Sequence, residues 1–177
     1  MSFDPTVKRF WEKQQHQDVD KVKSILTNCI YLEDQSVMVE GYKIYGTPWQ
    51  PLFFGNVEDW AFVIPHLNVK AWEEVSSKIP ADTDILVSHS PPLGILDING
   101  EGHMCGSEVL LRHVVERVKP KYHIFGHIHK SYGLVTNGLT TFANAASCME
   151  GSPRIPKNTP LVFDLERRDV PNNCQQL

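Results

Sequence analysis

The chain has 177 residues, a hydrophobic share of 41% and a net charge of −4, which suits one domain or a large part of a bigger one. Its acidic and basic residues are interleaved, so nothing favours nucleic acid or an anionic membrane surface as a partner, and no apolar run nears the roughly 20 residues of a membrane span. No signal-peptide core opens the sequence, and Cys29, Cys105, Cys148 and Cys174 lie far apart without C-x-x-C spacing, which fits a reducing, cytoplasmic setting better than a disulfide framework.

Residues 4–17 read as a helix, with Asp4 as N-cap, Pro5 at the first position and Val7, Phe10 and Trp11 on one face. Asp18 or Asp20 can cap a second short helix ending at Leu26. Residues 29–32, 36–40 and 42–45 read as strands, with Glu40-Gly41 as a tight turn between the last two. Residues 47–56 read as a loop. Residues 68–78 predict a helix capped by Asn68, with Val69, Trp72 and Val75 on one face. A strand over residues 85–87 and a long loop over 88–105 follow.

The next helix starts at Gly106 or Ser107 and keeps Val109, Leu110, Val114, Val115 and Val118 at helical spacing until Pro120. Residues 122–125 form a strand. Residues 132–136 and 139–143 flank Asn137-Gly138, a strong hairpin signal. Residues 161–164 read as a last strand. Strand-helix-strand in the middle with hairpins on either side predicts an α/β fold whose parallel strands carry the site.

Two strands run straight into histidine. Ile85-Leu86-Val87-Ser88 is followed by His89, Ser90, Pro91 and Pro92, and Tyr122 to Phe125 by Gly126-His127-Ile128-His129. Imidazole suits zinc, iron, nickel and copper, and serves manganese beside carboxylates. On a strand, the two histidines of H-x-H would point to opposite faces. Both reach one site only if the backbone leaves strand geometry, and Gly126 is expected to give that freedom.

Both segments resemble the last two motifs of calcineurin-like metallophosphoesterases. Leu26-Thr27-Asn28-Cys29-Ile30-Tyr31-Leu32, Gly46-Thr47-Pro48-Trp49-Gln50-Pro51, Pro91-Pro92-Leu93-Gly94 and Phe142-Ala143-Asn144-Ala145 extend the likeness to the metallophosphoesterase domain-containing branch, over roughly residues 24–164. The resemblance implies a four-layer α/β/β/α sandwich with mixed sheets. It also implies hydrolysis of phosphodiesters, cyclic nucleotides included, with two divalent ions (Mn, Fe or Zn). His89 and His127 would hold the second metal and His129 the first. The family's Asp-x-His, Gly-Asp and Gly-Asn-His motifs do not occur in this sequence.

Three imidazoles without carboxylates leave the charge of two divalent ions uncompensated. The chain is therefore expected to hold at most one ion, weakly, and to be inactive alone, with no catalytic residue assigned. Residues 1–165 are expected to form the C-terminal part of a metallophosphoesterase domain, and residues 166–177 a flexible tail. A phosphodiester or nucleotide is the expected small-molecule partner, and an uncovered sheet edge would favour self-association. The alternative is a non-catalytic pseudoenzyme that binds a nucleotide or a protein. A metallo-β-lactamase type of site wants H-x-H-x-D, but Lys130 and Ser131 follow the pair here.

The other candidates carry two readings each. His123 suits sheet packing with one ring nitrogen bonded. His103 and Cys105 are solvated loop residues or substrate contacts. Trp49, Phe53, Phe54 and Trp60 stack on a nucleobase or cover a core edge. Gly106-Ser107 offers N–H groups to a phosphate or simply caps a helix. Cys148 reads as a buried inert thiol, and His16, His66 and His113 as surface or boundary residues.

Overall fold

A computed structural model describes residues 23–53, 60–151 and 155–168. Strand β1 (Gln35–Val39) turns through Glu40 and Gly41 into β2 (Tyr42–Thr47). Both turn residues have positive φ, 49° and 78°, the backbone that matches a two-residue hairpin to the twist of its strands. Short strands β3 (Gln50–Leu52) and β4 (Val63–Pro65) pair in parallel as a separate ladder. Helix α1 (Val69–Ser76) starts where the Asn68 side chain accepts from the Ala71 N–H.

Strand β5 (Ile85–Ser88) leads into the long loop and then α2 (Glu108–Arg112), capped by Ser107. Without a break, α2 continues as a π-helical turn over His113–Val118 and closes on Lys119 at φ 50°. Then follow β6 (Tyr122–Phe125), a 3-10 turn (His129–Ser131), β7 (Gly133–Thr136) and β8 (Thr141–Asn144).

The main sheet runs β1-β2-β5-β6-β8-β7. Its four central strands are parallel, and β1 and β7 add antiparallel edges. Register places Tyr45, Leu86, His123 and Phe142 in one row across those four strands, and every one of them is buried. Leu110, Val114 and Val118 pack on this face, with Ile79 and Phe125 closing the cluster. Ile64, Trp72, Val75 and Val109 join β4 and α1 to α2. Burial of this kind contributes roughly 1.5–3 kcal/mol per large side chain and fixes which strand ends meet.

The opposite face is thinly covered. Val87 is 39% and Leu134 51% exposed there. Leu32 lies over Gly46, where any Cβ would sit 2.4 Å from its own. The segment 155–168 crosses the same face: Phe163 packs on Tyr122 at 4.7 Å, and Arg168 lies 3.9 Å over the Tyr42 ring. Arg168 also grips both carboxylate oxygens of Asp84, at 2.9 and 2.8 Å.

These described residues form one layered part of a mixed α/β fold. The parallel strands, the Asn68 cap and the Asn137-Gly138 hairpin stand where the sequence puts them. Residues 29–32 form no strand, and Gln50–Leu52 is a strand inside the segment read as a loop. Val69 points to solvent rather than into the helix face. Residues 161–164 form no strand: the segment lies over the sheet face, with Phe163 on Tyr122, and pairs with no described strand. The helix expected over 4–17 lies outside the described residues, as does all of the tail expected over 166–177 except residues 166–168. Among the described residues no helix is long and apolar enough to cross a membrane.

Candidate functional site

Strands β5 and β6 are parallel neighbours, so their carboxyl ends open at the same edge. His89 stands one residue past β5. Its N–H donates to the Thr47 carbonyl and its own carbonyl accepts from the Gly126 N–H, both at 3.1 Å. The ladder thus runs past the strand ends and fixes His89 from both sides.

His127 is held differently. The Ile128 N–H donates to the Gly126 carbonyl at 2.7 Å, closing a γ-turn whose apex is His127 at φ 66°. This is the uncommon hand of that turn, and such backbone costs on the order of 1–3 kcal/mol. The expected freedom of Gly126 is therefore not what turns the chain. Gly126 has no positive φ, and a Cβ there would meet Ala146 at an ordinary 3.8 Å. The strained residue is the histidine itself.

The turn is braced by a residue that pattern reading passed over as anything more than part of a family segment. Asn144, wholly buried at the end of β8, donates to the carbonyls of Leu96 (3.0 Å) and Ile128 (2.8 Å). Its side-chain oxygen accepts from the Ala146 N–H at 3.1 Å. A buried amide with three bonds is well satisfied, and the Ile128 carbonyl it holds directly precedes His129.

As a result, His89 Nε2 and His127 Nδ1 lie 3.1 Å apart, with ring centroids at 4.7 Å. Two ligands on one tetrahedral zinc stand about 3.3 Å apart, so the pair fits one edge of a divalent-cation site. Solvent reaches His89, yet the protein mass around its ring lowers its pKa by desolvation, which favours the neutral imidazole a metal needs. His129 begins the 3-10 turn and lines the same cavity as His127. Among the described residues no group of three or more His, Cys, Asp or Glu gathers around one point. The donors present therefore fit part of one ion's shell and do not by themselves fit a two-ion site.

Beside His127 opens a cavity of about 1060 Å³. Trp60 and His127 meet edge to face at 5.8 Å, and Phe53 stacks on His66 at 4.6 Å. His103, Met104 and Cys105 line the other side. Their loop is tied at its base by Asp97, whose carboxylate accepts from the N–H groups of Gly94 (2.9 Å) and Gly106 (3.0 Å). At Gly106 a Cβ would sit 2.4 Å from the Pro92 carbonyl group, so only glycine fits. With the Gly106 N–H occupied and Ser107 capping Leu110, this helix start is a cap.

Trp49 turns away from the cavity wall to donate to Asp34 at 2.8 Å and to pack on Phe62. Phe54 and His16 lie outside the described residues. Burial raises the Cys105 thiol pKa, with Asp97 adding to it. Cys148 is half-buried rather than buried. His113 sits at a boundary, bonded to Glu73 and Arg117.

Residues 3–131 match the family model described as calcineurin-like phosphoesterase. The chain belongs to that family. It is 44% identical over 154 residues to human metallophosphoesterase domain-containing protein 1, covering 86% of this chain and 45% of that protein. It is also 44% identical over 146 residues to a UPF0046 protein of Caenorhabditis elegans, covering 81% of this chain and 34% of the relative. The chain thus spans less than half the length of these relatives. A solved crystal structure superposes with a TM-score of 0.51 at 18% identity, over 72% of this chain and 50% of that one, which speaks for the fold alone. Calcineurin-like phosphoesterases generally use divalent metals.

Proposed function

We propose that these residues form one wall of a metal-dependent phosphodiesterase site that takes nucleotide-like phosphodiesters. The observation that carries this reading is the His89–His127 pair, 3.1 Å apart at the carboxyl edge of parallel strands, with His127 on the wall of a large cavity. Divalent ions, when bound, supply Lewis-acid activation and charge screening at phosphorus. His89 and His127 would hold one ion and His129 would turn toward a second. The neutral state of His89 keeps its lone pair available near pH 7. Trp60 and Phe53 offer apolar surface on which a base can rest, and the loop around His103 lines the same cavity.

No carboxylate joins the histidines among the described residues, and this reading takes the remaining ligands from a further segment. The test is paired. The 177-residue chain alone, with Mn²⁺, should hydrolyse neither cyclic AMP nor bis(p-nitrophenyl) phosphate above background. Fusing it behind the segment that precedes the matched region in human metallophosphoesterase domain-containing protein 1 should give Mn²⁺-dependent hydrolysis that His127→Ala abolishes. A folded fusion without activity would sink the proposal.

A further inference from the structure

His123 is the polar member of an otherwise apolar row. It is fully buried, between the rings of Phe125 at 4.9 Å and Phe142 at 5.8 Å. Its Nδ1 has no partner there, so a phenylalanine would fill the space without that cost. What the ring does bond is Ser88, with Nε2 2.8 Å from Oγ. Ser88 Oγ in turn donates to the Ser90 carbonyl at 2.7 Å. The hydroxyl has a single proton and spends it on Ser90, so it accepts from His123, which must carry its hydrogen on Nε2. Ser88 and Ser90 flank His89, and both are buried. The relay therefore clamps the one-residue bend on which the His89 ring is mounted.

We infer that His123 is a positioning residue for the metal site: its Nε2–H, through the Ser88 hydroxyl, sets the turn that aims His89 at His127. The inference rests on the metal-site reading above, and it assigns the ring no contact with metal or substrate. Partners that orient a ligand in this indirect way are typically worth 10–100-fold in metal affinity.

The probe is Co²⁺, titrated into the full 177-residue chain and followed by its visible absorption, with a thermal melt for each variant. Wild type should bind through His89, and His89→Ala should abolish binding. Ser88→Ala and His123→Leu should each weaken it by about 10–100-fold, and the double variant should be no weaker than either. His123→Gln keeps an N–H donor at similar reach and should stay within about threefold of wild type. A metal-free readout covers any variant that fails to fold: a long-range ¹H–¹⁵N spectrum of wild type at neutral pH should show His123 as the Nε2–H tautomer. The Nδ1–H tautomer overturns the inference. So does wild-type affinity in folded Ser88→Ala and His123→Leu when His89→Ala has lost it, and that result leaves the metal reading standing. Co²⁺ binding that is absent or indifferent to His89 brings down the metal reading and the inference together.

Discussion

Lowering the pH should destabilise this protein through His123. Burial alone pushes its pKa from 6.5 down to about 3, and no charged neighbour contributes. The folded state keeps the ring neutral while the unfolded chain takes up a proton below pH 6.5, so the unfolded state is favoured as pH falls. The contribution is fully present above pH 6.5, declines from there, and is exhausted only near pH 3. The slope is about 1.4 kcal/mol per pH unit, or about 2 kcal/mol lost by pH 5. For a chain of this size that is roughly 4–8 °C in Tm. The assay is urea or thermal unfolding between pH 8 and pH 5, wild type against His123→Gln, which cannot titrate. Other histidines contribute to both curves and cancel in the difference. Stability differences that do not change with pH between the two proteins would refute the reasoning.

Gly106→Ala should cost about 1–3 kcal/mol in urea unfolding, because its Cβ must displace the Pro92 carbonyl group. Asn144→Leu leaves the Leu96 and Ile128 carbonyls and the Ala146 N–H without that partner, and should destabilise by about 2–4 kcal/mol in the same assay. Arg168→Ala removes the grip on Asp84 and the cover over Tyr42; amide exchange over residues 155–168 should quicken while that of β6 stays unchanged.

The site was legible wherever an apolar run ended in histidine. Ile85 to Ser88 and Tyr122 to Phe125 are short and β-prone, and their parallel pairing follows from the helix between them. Asn68 and Asn137-Gly138 announced a cap and a hairpin by local chemistry. Three features were not local. Strand β3 carries Pro51 in a segment with another proline and several aromatics, so only its partner β4 makes it a strand. Residues 161–164 have a strand's composition, but composition cannot supply a neighbour. The γ-turn puts a histidine where a glycine was expected, and Asn144 braces it through the Ile128 carbonyl, 16 residues away in sequence. The relay from His123 to Ser88 joins residues 35 apart in sequence, and the serine looks unremarkable there.

That relay also bears on how the strands find their alignment. Parallel strands of similar hydrophobicity can slide by two residues and still bury the same face. Here such a slip would leave a histidine among hydrocarbon with no hydroxyl to meet, and it would carry the end of β6 about 6.6 Å along β5. His89 and His127 would then no longer face each other. One buried hydrogen bond therefore makes correct pairing and a usable pair of ligands the same event, so a misaligned sheet would be penalised before any metal could reach it.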